Sequence, residues 1–120
     1  MPRASKATWD SVRRVMQRLP GAVEGTSYGT AAFHVRRKFL VRLREDGETL
    51  AVRCDFDERD ARMAADPKAF FITDHYKNYP AVCVRLAAVK AADLKSVLES
   101  AWRREAGSRL VEELERKASR

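Results

Sequence analysis

Three groups of residues in this chain have types and spacings that could do chemistry, and each makes a different demand on the fold around it. Gly25-Thr26-Ser27-Tyr28-Gly29 spells G-x-S-x-G, the nucleophile elbow that lifts a serine above the sheet of α/β-hydrolases. An elbow needs a buried strand before it and a helix behind it. Here Pro20 to Glu24 precede and a strand pattern follows, so the glycines and the serine read as a turn between helix and sheet. Asp74-His75-Tyr76 sets a carboxylate beside an imidazole, the pairing of a general base or a metal ligand. Sequence neighbours rarely assemble such a site, and the other histidine, His34, stands in a strand pattern with no carboxylate at ligand spacing. The third group is basic: Arg36, Arg37, Lys38, Arg42 and Arg44. Arg42 and Arg44 share one strand face, and with Arg36 and Arg37 they make a row with steps of about 6 to 7 Å, a spacing compatible with nucleic-acid phosphates.

That basic group carries the charge asymmetry of the chain. Residues 1–44 hold ten Lys/Arg against two acids, and residues 45–120 hold fourteen against fifteen, so the net charge of +7 comes from the first segment. Three readings of the basic strand follow: contact with nucleic-acid phosphates, contact with a small-molecule or protein partner, or a solvated face that confers solubility alone. Neutralising three to five phosphates would give a slope of log K against log salt of roughly −3 to −4.5.

The elements that must position these residues are legible in the periodicity. Trp9, Val12, Val15, Met16 and Leu19 form the apolar stripe of a helix, with Thr8 as cap and Pro20-Gly21 as stop. Its other face carries Arg13, Arg14 and Arg18, a solvated face or a second patch for an anionic partner. From Ala32 the period switches to two. Phe33 and Val35 alternate with His34 and Arg36, then Phe39, Val41 and Leu43 alternate with Leu40, Arg42 and Arg44, which predicts a hairpin with its tip near Arg36-Arg37-Lys38. Thr49 to Phe56 follows as a third strand, and Asp57 to Ala65 as a short helix ended by Asp66-Pro67. Ala69 to Thr73 and Ala81 to Ala87 read as two strands around the loop Asp74 to Pro80. An amphipathic helix through Leu94, Val97, Leu98, Ala101 and Trp102 closes at Gly107, and Ser108 caps a last helix. The order αβββαββαα predicts an α+β domain: an antiparallel sheet of about five strands with helices on one face.

A chain of 120 residues with 45% apolar content is expected to form one domain, residues 1–120, around a single core. The start, MPRASKAT, lacks the apolar centre of a secretory leader, and no apolar run reaches the ~18 residues that span a bilayer, so the expected location is the cytoplasm, without membrane contact and as a monomer. Cys54 and Cys83 lie far apart in apolar strand patterns, which predicts two reduced core thiols; a disulfide or a metal site shared with a histidine is the alternative. No P-loop, dinucleotide, zincin or EF-hand pattern occurs, so neither cofactor nor metal is expected.

Leu19-Pro20-Gly21, Glu24, Ser27-Tyr28-Gly29-Thr30, Ala32-Phe33, Val35, Lys38-Phe39, Thr73 to Tyr76, Tyr79-Pro80, Val84-Arg85-Leu86 and Ala101-Trp102-Arg103 occur in an order that resembles the MmcQ/YjbR family of small bacterial proteins. The resemblance runs from about Thr8 to Leu110. It implies a fold of the secretion-chaperone-like and CyaY-like kind with a double-wing DNA-binding-like motif, the wings being the Phe33 to Leu43 hairpin and the Thr73 to Leu86 hairpin. Family members often have proline where Ala31 stands and glycine where Arg37 stands. The sequence thus points to a non-enzymatic nucleic-acid binder contacting phosphates through Arg36, Arg37, Lys38, Arg42 and Arg44, with Lys77 in support. The alternative is a small-ligand or protein-binding module with a pocket near Glu24, Tyr28 and His75.

Overall fold

In the computed structural model, which describes residues 6–118, a six-stranded antiparallel sheet runs in the order β1-β2-β3-β4-β6-β5. The strands are β1 (Ala22–Ser27), β2 (Thr30–Val35), β3 (Lys38–Leu43), β4 (Thr49–Arg53), β5 (Phe70–Phe71) and β6 (Ala81–Arg85). The helices are α1 (Trp9–Met16), α2 (Phe56–Ala65), α3 (Ala91–Ala106) and α4 (Ser108–Ala118), with a single 3-10 turn at Asp74–Tyr76. The basic start of the chain, Met1 to Ser5, lies outside the described residues.

The helices cover one face of the sheet, and period-two alternation decides which side chains they meet. In β4, Leu50 and Val52 enter the helix-side core; in β6, Val82 and Val84 do the same. The intervening Ala51 and Cys83 belong to a separate, smaller cluster with Tyr76 and Ala81 on the opposite face. Trp102 of α3 is fully buried in the main core, and its indole Nε1 donates to the Pro20 carbonyl at 2.8 Å. A buried N–H without an acceptor would cost about 1–3 kcal/mol, so this bond ties α3 to the turn that ends α1. Cys54 sits in the helix-side core and Cys83 on the other side of the sheet, both as free thiols.

Four details differ from the sequence reading, each for a local reason. The sheet has six strands, because Ala22–Ser27 pairs with β2 along its whole length; as an edge strand with four consecutive exposed residues it shows no apolar alternation. The G-x-S-x-G segment is the end of that strand plus the two-residue turn Tyr28-Gly29. In the next hairpin Phe33 pairs with Val41 while His34 pairs with Phe39, so Leu40 is an extra residue, a β-bulge. The bulge lets Leu40 and Val41 both enter the helix-side core and turns Phe39 to the opposite face, which breaks the alternation predicted for β3. The helix after β4 starts earlier than Asp57, because the Asp55 carboxylate accepts from the Glu58 N–H at 2.7 Å as N-cap. Lastly, the strand read over Ala69 to Thr73 shrinks to Phe70–Phe71, since the chain turns into the 3-10 segment.

Candidate functional site

The face of the sheet away from the helices holds a cavity of about 450 Å³. Five aromatic side chains form its walls: Tyr28 from the β1–β2 turn, Phe39 from β3, and His75, Tyr76 and Tyr79 from the loop between β5 and β6. Arg42 on β3 supplies the polar floor, with Glu45, Arg53 and Ser27 at the margin. The bulge at Leu40 matters here, because it puts Phe39 on the same face as Arg42. In the loop, His75 stacks on Tyr79 with ring centroids 6.3 Å apart and an interplanar angle of 14°, and meets Tyr76 edge-on at 4.8 Å.

Arg42 is only 8% exposed, which is unusual for a guanidinium. Its Nη2 donates to the Tyr76 hydroxyl at 3.2 Å; its Nη1 reaches the Thr30 hydroxyl at 3.3 Å, the Leu43 carbonyl at 3.4 Å and Glu45 at 3.4 Å. The Tyr28 ring lies over its carbon at 5.3 Å, a cation–π arrangement. Burial pulls the Arg42 pKa down, but the Tyr76 hydroxyl and the Glu45 charge outweigh it, and the group ends above its ordinary value. Glu45 in turn is held below the usual carboxylate range, first by its own backbone N–H and then by Arg42. Arg44 sits over the Tyr76 ring at 5.6 Å, with its Nε buried and unbonded.

The loop that carries His75, Tyr76 and Tyr79 is fixed from below by a residue the sequence does not single out. Arg59 of α2, 7% exposed, donates to the carbonyls of Tyr76 at 3.1 Å, Lys77 at 3.3 Å and Tyr79 at 3.1 Å. One planar donor set thereby satisfies three carbonyls of a short irregular segment, the geometry in which a guanidinium cannot be replaced by an ammonium.

A family model described as YjbR matches residues 17–104, a stretch that contains every residue lining the cavity. The chain belongs to the YjbR family. It is 32% identical over 124 residues to the uncharacterised proteins Rv2570 of Mycobacterium tuberculosis and Mb2600 of Mycobacterium bovis, the match covering 88% of this chain and 94% of each relative. A crystal structure of Deinococcus radiodurans protein DR2400, assigned to domain family DUF419, superposes with a TM-score of 0.71 at 20% identity, over 91% of this chain and 88% of that one. The likeness to that structure shows that the fold is shared.

Within this YjbR fold the residues singled out by sequence scatter. Tyr28 and His75 meet at the cavity, whereas Glu24 is turned to the helix side of β1, where it accepts from Trp9 Nε1 at 2.9 Å and from Arg13 Nε and Nη2 at 2.9 and 2.8 Å. The five cations of the first wing do not form one row. Arg42 is buried, Arg44 packs on Tyr76, and Lys38 faces Glu105 at 3.6 Å, a carboxylate that also accepts from Arg53 Nε at 3.0 Å. Arg36 and Arg37 form the hairpin tip and make no ion pair among the described residues. Lys77 is exposed on the other wing. Phe39, Tyr79, Glu45 and Arg53 join the site unpredicted; only the aromatic density of the Asp74 to Pro80 loop hinted at it. Among the described residues no cluster of three metal-ligating side chains occurs.

Proposed function

We propose that this YjbR protein is a binding module that holds a small ligand in the aromatic cavity on the open face of its sheet, and that it does so without a catalytic step. The observation that carries this reading is Tyr28. Its backbone has φ 53°, a left-handed conformation that strains any residue with a bulky side chain, and the residue is 84% exposed at the cavity mouth. A side chain that is both strained and exposed contributes little to the fold, so its value lies in what it touches from outside. The cavity volume falls in the range of roughly 300–1,000 Å³ typical of small-ligand sites, with mostly apolar walls and few convergent polar groups. The reading keeps the protein in the cytoplasm, where the two free thiols fit a reducing compartment. A fragment screen by chemical-shift mapping tests it. Shifts should gather on Tyr28, Phe39, His75 and Tyr79, vanish in Tyr28→Ala and His75→Ala, and persist in Arg37→Glu. Shifts that gather elsewhere would refute it.

A second reading has its own support. Arg36 and Arg37 are exposed at the tip of the first wing and Lys77 is exposed on the other, an arrangement able to meet a nucleic-acid backbone without reading bases.

A further inference from the structure

We infer that the ligand of this cavity is a planar ring bearing an anionic group, a carboxylate or a phosphate, with the anion seated on Arg42 and the ring against Tyr28. The inference deepens the cavity reading above and rests on it. A buried guanidinium is stabilised by a close, preferably bidentate, anion. Arg42 lacks one: its four acceptors stand 3.2 to 3.4 Å away, beyond the ~2.7–2.9 Å of charge-assisted bonds. Among these acceptors Glu45 alone is charged, and its side chain is 68% exposed. Glu45 thus serves as a loose, solvated counter-ion that an entering anion displaces at little cost. The walls favour a flat group beside that anion: the Tyr28 ring already covers one side of Arg42 at 5.3 Å, and the stacked His75–Tyr79 pair offers a second aromatic surface, with Tyr79 57% exposed.

Four probes separate the contributions in a chemical-shift titration: benzoate and phenyl phosphate carry ring and anion, benzamide carries the ring alone, and inorganic phosphate carries the anion alone. At least one of the two charged ring probes should bind about tenfold more tightly than both benzamide and inorganic phosphate. Which of the two wins assigns the carboxylate or the phosphate. Because Arg42→Gln would disturb a buried network, two exposed positions carry the mutational arm. Glu45→Gln, which removes the competing carboxylate, should tighten the charged probes about threefold and leave benzamide unchanged. Tyr28→Ala should weaken the charged probes about tenfold without lowering the melting temperature. If neither charged ring probe binds more tightly than benzamide, or neither binds more tightly than inorganic phosphate, the inference is overturned while the cavity reading stays intact. If no probe, benzamide included, shifts the cavity resonances, both fall together.

Discussion

Tyr28 and Glu24 are four residues apart and do opposite jobs, which only the pairing of β1 with β2 reveals. At Tyr28 the turn demands a positive φ, a demand that Asn or Gly meets with little strain. Tyr28→Asn should therefore raise stability by about 1 kcal/mol and the melting temperature by about 4 °C, while weakening ligand binding; thermal melts and probe titrations check the two halves separately. Glu24 serves the fold. Hydrogen bonds from Arg13 and then Trp9 hold its carboxyl below the ordinary value of 4.5. A carboxyl with a depressed folded-state pKa stabilises above its unfolded pKa, and that contribution fades as the pH falls through the folded value. Urea denaturation should show Glu24→Gln less stable than the parent at pH 7, by no more than about 1 kcal/mol for an exposed pair, with the gap shrinking below about pH 4.5. A gap that persists undiminished at pH 3 would show that the ion pair is not its source. Burial pushes the Cys54 thiol up to about 12 and raises Cys83 as well, so neither should react with a disulfide reagent at pH 8 until the protein is unfolded.

At the scale of elements, the helices were readable because their apolar stripes face a single core: Leu94, Val97, Leu98, Ala101 and Trp102 are all buried. The buried strands β4 and β6 are legible as apolar runs, whereas β1, an exposed edge, leaves no apolar pattern. In β3 the period-two pattern marks a strand but assigns its faces wrongly, because the bulge at Leu40 puts two consecutive residues into the core. The site suffered most, since its floor and walls come from β3, the β1–β2 turn and the loop braced by Arg59, segments that sequence distance keeps apart. The α3–α4 junction shows the same limit. Gly107 does have a positive φ, but with ψ 162° it lies outside the left-handed helical region expected of a helix end, in a conformation essentially restricted to glycine. Gly107→Ala should cost about 1–3 kcal/mol by chemical denaturation. An added Cβ would also stand 2.9 Å from Arg36 Nη1, the movable end of a long side chain. Combining Gly107→Ala with Arg36→Ala should therefore recover little; full recovery would assign the cost to the contact and not to the backbone.

For the whole molecule, the lopsided net charge of +7 remains, but the fold distributes it in a way that changes what a polyanion would meet. Arg13 is neutralised by Asp10 and Glu24, and Lys38 and Arg53 share Glu105. Asp55 pairs with Arg104 and Glu58 with Arg62, so these acids of the α2 segment are engaged beside α3 and do not shield the first wing. Among the described residues, the cations of the two wings that are exposed without an ion pair or a side-chain hydrogen bond are Arg36, Arg37 and Lys77, because Arg42 is buried on the cavity floor, open to a small anion but not to a duplex backbone, and Arg44 packs on Tyr76. Two or three phosphate contacts give a slope of log K against log salt of roughly −2 to −3, shallower than the −3 to −4.5 expected of the full basic row. Fluorescence anisotropy with a labelled duplex across a salt series measures it. Arg37→Glu should then cut affinity and flatten the slope by about one or more, while Tyr28→Ala should leave both unchanged. A slope near −4.5 would mean that Arg42 and Arg44 leave their aromatic partners to meet the nucleic acid, and would return the open face of the sheet to the first wing's partner.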